Sequence, residues 1–191
     1  RQLQPLTATT PKPLVQVNGR ALIDYALDLV RTAGIEHVVL NCHHLADQIE
    51  AHAAKVVDLD IKISDERAEL LETGGGVQKA LPLLGNAPFA ILNSDVIVKD
   101  AHSTSLKKLA ENWQPEKMDV LLLLQDKKTA VGYDGRGDFH LDADNRLIRC
   151  GDNEDAPYIF TGVQIVNPEL FADLAAGRFS MNVIFDKADA K

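Results

Sequence analysis

The chain has 191 residues, 46% hydrophobic and 25% charged, which suits one globular domain with a sizeable core. Its net charge of -8 argues against a nucleic-acid partner, and no apolar run or leader pattern predicts a membrane partner. Cys42 and Cys150 lie far apart and predict two free thiols of a cytoplasmic protein.

The first two thirds of the chain alternate between helical and strand patterns. The prolines of residues 1–17 predict an extended loop, in which Lys12 lies between Pro11 and Pro13, and Asn18-Gly19 predicts a turn. The patterns then predict helices over 21–33, 45–55, 77–84 and 103–113, the last capped by Ser103, and strands over 38–40, 59–64, 89–92 and 118–124. This order predicts an α/β fold, with a Rossmann-like, mostly parallel sheet and helices on both faces.

The last third has a different pattern. It predicts strands over 139–142, 147–149 and 158–166, antiparallel and partly facing solvent. A short helix is predicted over 168–174 and a final helix over 179–191. The expected architecture is therefore the parallel sheet plus a small antiparallel region in the second half.

One stretch carries the candidate chemistry. Three adjacent glycines at 74–76 predict a loop in close contact with a ligand, leading into the N-terminus of the helix over 77–84. The strand over 89–92 is followed by Asp95, and ligands of open α/β sheets bind at the carboxyl ends of strands. From the sequence alone, Asp95 has a simpler interpretation as a turn former. Lys12, between its two prolines, has a simpler interpretation as a solvated surface lysine.

Four motifs occur in order. They are PLT at 5–7 with TPKPL at 10–14, LETGGG at 71–76 with KALPLL at 79–84, NSD at 93–95 and FTG at 160–162. Together they resemble the bacterial sugar-1-phosphate nucleotidyltransferases. Within that family the resemblance is to the branch of N-acetylmuramate-1-phosphate uridylyltransferases and mannose-1-phosphate guanylyltransferase-like proteins.

The resemblance implies a nucleotide-diphospho-sugar transferase fold and a reaction for cell-envelope sugars. A nucleoside monophosphate passes from a nucleoside triphosphate to a sugar 1-phosphate, which gives an NDP-sugar and pyrophosphate. Lys12 and Asp95 are the implied catalytic residues, with Lys12 on phosphate oxygens and Asp95 on Mg²⁺. Thr73, Gly74 and Gly75 would contact the nucleobase, and Gly137, Asp138, Thr161 and Gly162 would line the sugar side. The single domain, 1–191, would divide into a nucleotide-binding half, 1–127, and a sugar-binding half, 128–191.

The sequence departs from the family pattern at both ends. Of the signature G-x-G-x-R-x-x-P-L-T only the end is present, with Gln2 at the arginine position and Arg1 one place early. No later aspartate matches the family's second metal ligand. Two interpretations stay open: part of an ordinary enzyme, favoured because the fold needs its first strand, or a non-catalytic, degenerate nucleotide- or NDP-sugar-binding homologue. The base, the sugar and the oligomeric state are not predicted.

Overall fold

The computed structural model describes residues 6–99, 102, 104–151 and 154–190. In chain order its elements are β1 (Gln16–Val17), β2 (Arg20–Ala21), α1 (Leu22–Thr32), β3 (His37–Cys42), α2 (Ala46–Ala53), β4 (Asp60–Asp65), α3 (Glu72–Leu84), β5 (Phe89–Leu92), α4 (Ser105–Glu111), β6 (Val120–Asp126), β7 (Phe139–Leu141), β8 (Leu147–Arg149), β9 (Tyr158–Val166) and α5 (Asn182–Asp189). Short 3₁₀ turns cover Leu6–Ala8, Lys12–Leu14, Lys127–Thr129 and Pro168–Phe171. Within the described residues, no helix could cross a membrane.

The first half contains the parallel part of the fold. β3 and β4 pair in parallel from His37↔Asp60 to Cys42↔Asp65, and α2 is the connection between them. The helix α1 precedes β3 and ends where Gly34 adopts a positive φ of 73°, a backbone conformation that glycine reaches without strain. The predicted α/β class is confirmed, with a parallel pair and connecting helices.

β9 is the central strand of the second sheet. It pairs antiparallel with β5 along one edge and with β6 along the other. Because both neighbours oppose β9, β5 and β6 run in the same direction, with β9 between them. β7 pairs with β9 at Phe139↔Tyr158 and with β8, completing the predicted antiparallel region. The antiparallel pairing was predicted correctly.

The expectation that these strands partly face solvent is met by β8, where Ile148 and Arg149 are exposed, whereas residues 162–166 of β9 are buried. One cluster joins Val163 and Ile165 to α1 and α4 through Leu29 and Leu106. A second cluster joins Val166 to α5 and the turn after β9. Helices therefore cover the sheet from both faces. Each such buried aliphatic side chain contributes about 1.5–3 kcal/mol, which fixes β9 at the centre.

Many predicted boundaries differ from the structure by a few residues, and the start of α3 differs most. The helix α3 begins at Glu72 instead of 77, so the glycines lie inside the helix and not in a loop before it. The last helix, α5, begins at Asn182 instead of 179. The helix α4 covers Ser105–Glu111, and its predicted cap, Ser103, is outside the described residues. The Asn18-Gly19 turn was predicted, but the two-residue strands β1 and β2 that flank it were not.

Candidate functional site

Lys12 and Asp95 contact each other in the structure. Lys12 opens the 3₁₀ turn Lys12–Leu14, and Pro11 before it has extended geometry with ψ of 144°. Asp95 follows the carboxyl end of β5. Lys12 Nζ donates to Asp95 Oδ2 in an ion pair whose side chains are 39% and 34% exposed. Both charges therefore remain within reach of a ligand from solvent.

A large cavity lies beside this pair. Its volume is about 1090 Å³. Apolar side chains form most of its lining, and Lys12, Thr73 and Asp95 also lie at it. The walls come from β3, β5, α1 and α3, and β3 and β5 form no ladder with each other among the described residues. The cavity thus brings together three of the predicted site residues, from segments more than 20 residues apart in the chain.

The strand end that carries Asp95 is held by Gly162. The N–H of Asn93 donates to the carbonyl of Gly162 at 2.9 Å. Gly162 has a φ of 78°, and a Cβ on it would lie 2.7 Å from Cβ of Asn93. Glycine is required here by both the backbone conformation and the close approach. Gly162, predicted on the sugar side, therefore lies against the residues that lead to Asp95.

The glycines of α3 are buried by close packing. A Cβ on Gly74 would lie 2.5 Å from the Phe179 ring, and one on Gly75 would lie 2.1 Å from the carbonyl oxygen of Gly177. The N–H groups of Gly74 and Gly75 both donate to the carbonyl of Phe179, at 2.9 and 3.0 Å. These are first-turn donors that the helix itself leaves without an acceptor. Base contact through these amides stays a prediction, and it would require them to exchange this partner.

The residues that begin α3 are also distinctive. Glu72 has a φ of 61°, in the left-handed region that a non-glycine residue occupies at some cost. Its carboxylate pairs with Arg178 at 2.7 Å. The next residue, Thr73, is exposed, and its hydroxyl oxygen accepts from the N–H of Met181 at 3.0 Å. A strained backbone beside an exposed polar side chain is a combination found at ligand sites.

The other predicted sugar-side residues have structural partners. The Thr161 hydroxyl donates to the carbonyl of Leu123 at 2.8 Å. The Asp138 carboxylate accepts from the N–H of Phe160 at 2.8 Å and so connects β7 to β9. Gly137 has a φ of 87° and approaches Ala156 so closely that a Cβ would lie 2.1 Å from its carbonyl oxygen. These residues are outside the described lining of the 1090 Å³ cavity, and their contact with a sugar stays a prediction.

Comparison with known proteins identifies the family of the chain. The sequence model described as Nucleotidyl transferase matches residues 1–138, which include Lys12, the glycines of α3 and Asp95. The chain belongs to the nucleotidyl transferase family. It is 43% identical over 185 residues to the N-acetylmuramate alpha-1-phosphate uridylyltransferase of Caulobacter vibrioides, covering 94% of this chain and 76% of that protein.

A second relative and two solved structures are also similar to this nucleotidyl transferase. It is 36% identical over 178 residues to the protein of the same name from Neisseria meningitidis serogroup B, covering 92% of this chain and 74% of the relative. A solved structure of UDP-glucose pyrophosphorylase with UDP-glucose superposes with a TM-score of 0.77 at 16% identity, covering 99% and 83% of the two chains. The inositol-1-phosphate CTP transferase of T. maritima gives a TM-score of 0.76 at 15% identity, covering 96% and 76%. At these identities the two structures establish the fold.

Nucleotidyl transferases of this kind generally use a divalent metal. Among the described residues, no group of three or more His, Cys, Asp or Glu side chains could hold one. A single carboxylate at a cavity does fit a metal that takes its other ligands from substrate phosphates and water, as Mg²⁺ commonly does. Asp95 is a carboxylate in that position, next to Lys12; Asp60 also lines the cavity, where it pairs with His37.

The thiol of Cys42 does not fit a catalytic role in this nucleotidyl transferase. Both cysteines are free, as predicted. Cys42 is fully buried, and burial, assisted by the charge of Glu50, raises the pKa of its thiol from 9.0 to about 11. A neutral thiol in the core is not a nucleophile at neutral pH.

Sequence reasoning missed two features beside the candidate site: the buried carboxylate of Glu66 and the packing of the segment 177–181 on α3. Glu66, directly after β4, is only 4% exposed and lies against Gly76 of α3. Its burial had no local signal, because Asp65, Glu66 and Arg67 form a charged run that is typical of a solvated surface. The segment 177–181, which packs on the start of α3, also had no signal in sequence.

Proposed function

We propose that this chain transfers a nucleoside monophosphate from a nucleoside triphosphate to a sugar 1-phosphate, releasing pyrophosphate. The observation that carries the proposal is the Lys12–Asp95 pair at the carboxyl end of β5, inside the segment matched by the Nucleotidyl transferase family. A cation for phosphate and a carboxylate for a metal meet there, and both side chains are partly exposed to a ligand from solvent.

The reaction needs positioning and charge neutralisation more than covalent participation by the protein. An oxygen of the sugar phosphate attacks the α-phosphorus, and the bond from that phosphorus to the bridging oxygen of pyrophosphate breaks. Lys12 contributes a point charge to the phosphate oxygens. Asp95, together with those oxygens, would hold Mg²⁺, which neutralises negative charge on the phosphates when bound.

The ion pair suits a site that alternates between empty and loaded states. Without substrate, Lys12 and Asp95 neutralise each other at the cavity wall. A triphosphate brings several negative oxygens, and a metal brings two positive charges, so each side chain gains a more highly charged partner. Exposed pairs of this kind contribute only ~0–1 kcal/mol, so separating them costs little.

The two substrates would occupy different sides of this pair. We assign the base to the start of α3, with Thr73 exposed at the cavity and Gly74 and Gly75 behind it, in the nucleotide-binding half, 1–127. The strained backbone of Glu72 supports a ligand role for this segment. We assign the sugar to the half 128–191. The residues expected to line it are Gly137, Asp138, Thr161 and Gly162, and Gly162 lies against Asn93.

The relatives support a narrower choice of substrates. Two of them, at 43% and 36% identity, are named as N-acetylmuramate alpha-1-phosphate uridylyltransferases. We therefore propose UTP and N-acetylmuramate 1-phosphate as the substrates, in cell-envelope sugar metabolism. Because nucleoside triphosphates are made in the cytoplasm, we assign the reaction to that compartment.

Pyrophosphate release tests this function. The purified chain is assayed with each of four nucleoside triphosphates against a panel of sugar 1-phosphates, with and without Mg²⁺. The proposal predicts fastest release with UTP and N-acetylmuramate 1-phosphate, and none without metal. No release with any pair, together with measurable nucleotide binding, would instead support the non-catalytic, nucleotide-binding homologue.

A further inference from the structure

Glu66 is a buried carboxylate whose negative charge must be compensated by nearby hydrogen-bond donors. It follows the carboxyl end of β4 and is 4% exposed. Within residues 6–99, both donors that reach its carboxylate are neutral: Asn41 Nδ2 at 2.6 Å from Oε1, and the N–H of Leu71 at 3.4 Å from Oε2. Burial of a carboxylate is costly unless donors compensate it.

The start of α3 helps to compensate this charge. The N–H of Leu71 precedes the first turn of α3, where unpaired N–H groups and the helix dipole favour a negative charge. The carboxylate therefore stabilises the entry of the helix, and the helix stabilises the carboxylate. Any shift of Leu71 relative to Glu66 weakens both effects.

Asn41 extends this contact across the sheet. Its side-chain amide donates to Glu66 Oε1 and also to the carbonyl of Gly76, at 2.8 Å. A nitrogen of His43 lies 2.6 Å from the backbone carbonyl of Glu66. The carboxyl ends of β3 and β4 are thus joined to α3 through one carboxylate and one amide.

The segment 71–76 is held between Glu66 and the chain at 177–181. On one side, a Cβ on Gly76 would lie 2.7 Å from Glu66 Oε1. On the other side, the carbonyl of Leu71 accepts from the N–H of Phe179, whose own carbonyl accepts from Gly74 and Gly75. The exposed Thr73 is therefore carried by a backbone whose position is set from both sides.

We propose that Glu66 is a positioning residue for nucleobase recognition: it fixes the segment 71–76 and so sets the affinity and choice of the base. The inference rests on the proposed function and deepens it, because it requires the base to bind at this segment. Glu66 acts through Leu71, Asn41 and Gly76, and it lines a second cavity of about 510 Å³ together with Thr73.

Glu66→Gln is the decisive variant, with Glu69→Gln as its control on the exposed part of the same loop. The introduced amide keeps the size of the carboxylate but turns an NH₂ group toward Asn41 or the N–H of Leu71, so two donors face each other. We expect the KM for UTP to rise about tenfold and the preference for UTP over CTP to fall by a similar factor, the cost of one charged hydrogen bond. The KM for the sugar 1-phosphate should not change, and Glu69→Gln should match the unmodified chain.

A purely structural role would give a different pattern. It would lower the melting temperature and reduce activity toward both substrates alike, without changing base preference, and that result would overturn the inference. If Glu66→Gln does not fold, Asn41→Ala, which removes the donor shared by Glu66 and Gly76, must show the same selective rise in the KM for UTP. An unchanged ratio of UTP to CTP in the folded variant also overturns the inference.

The inference and the proposed function fail in distinguishable ways. If the unmodified chain releases no pyrophosphate with any substrate pair, the proposed function fails, and calorimetric titration with UTP and CTP still measures the effect of Glu66→Gln on binding. If the unmodified chain is active and Glu66→Gln leaves base preference intact, the function stands and the inference alone fails.

Discussion

The N–H of Asn93 donates to the carbonyl of Gly162 at 2.9 Å, and the α-carbon of Gly162 faces the Asn93 side chain without room for a methyl group. This contact joins the end of β5 to β9 two residues before Asp95. Gly162 thereby determines where the predicted metal ligand lies, although the two residues are far apart in sequence. A glycine within a nine-residue strand is explained by this contact.

Gly162→Ala should destabilise the chain and reduce activity. The positive φ costs about 1–2 kcal/mol, and the 2.7 Å approach to Asn93 adds about 1–3 kcal/mol. Gly132→Ala is the control, because Gly132 has a φ of 74° but open space around it, so it carries the first cost alone. Chemical denaturation measures both variants, and Asn93→Gly should recover part of the loss in the Gly162 variant. Equal losses for Gly162→Ala and Gly132→Ala would contradict the close contact.

Gly75→Ala should reduce stability, although replacing glycine by alanine inside a helix usually raises it. In a helix interior, alanine is favoured over glycine by about 1 kcal/mol. Here the added methyl group would lie 2.1 Å from the carbonyl oxygen of Gly177, so the segment 177–181 must move off α3. We expect a net loss of about 1–3 kcal/mol in the free energy of unfolding. An increase in stability would show that this segment does not pack on the helix as described.

Lys12→Gln should weaken catalysis with little effect on stability. The exposed pair with Asp95 contributes at most about 1 kcal/mol to folding, so the melting temperature should change by a few degrees at most. Loss of a charged hydrogen bond to phosphate should lower kcat/KM by about 10- to 100-fold. Lys117→Gln, at an exposed position, is the control. An unchanged kcat/KM in Lys12→Gln would remove Lys12 from the phosphate site.

Cys42 should make stability depend on pH in the alkaline range. Burial raises the pKa of its thiol from 9.0 to about 11 in the folded chain, so the unfolded chain loses this proton first. The contribution of Cys42 is therefore fully present below pH 9 and is lost as the pH rises toward 11, by about 2–3 kcal/mol. Denaturation at pH 8, 9, 10 and 11 measures this change, with Cys42→Ala for comparison. A variant that loses as much stability over this range as the unmodified chain would contradict the assignment.

Much of the fold was predictable from local pattern. Strand β5 was predicted at its observed bounds because an apolar run between Pro88 and Asn93 has clear limits, and β8 and β9 were also predicted residue for residue. The position of β9 between β5 and β6 was not predictable, because strand order depends on long-range pairing. The start of α3 was misplaced because three glycines oppose helix formation locally, whereas packing against Phe179 and Glu66 makes them necessary.

The site was predictable in part for a similar reason. The family motifs assigned Lys12 and Asp95 to the site, Asp95 also being a candidate from its place after a strand, and the structure brings the two residues into contact. Glu66 was missed because a buried carboxylate in a charged run looks like a surface residue until its partners are known. Motifs identify residues that contact ligands better than they identify the residues that support them.

Transfer of a label from the α-phosphorus of UTP is the most direct test of nucleotidyl transfer. With N-acetylmuramate 1-phosphate and Mg²⁺, the label should appear in UDP-N-acetylmuramate, while label on the γ-phosphorus should leave as pyrophosphate. Asp95→Asn should reduce this transfer at least about 100-fold, since a metal ligand contributes several kcal/mol to catalysis, with an unchanged melting temperature. Asp173→Asn, at an exposed position, should transfer label normally. Label that remains in UTP with every sugar 1-phosphate, or full transfer by Asp95→Asn, would contradict the account.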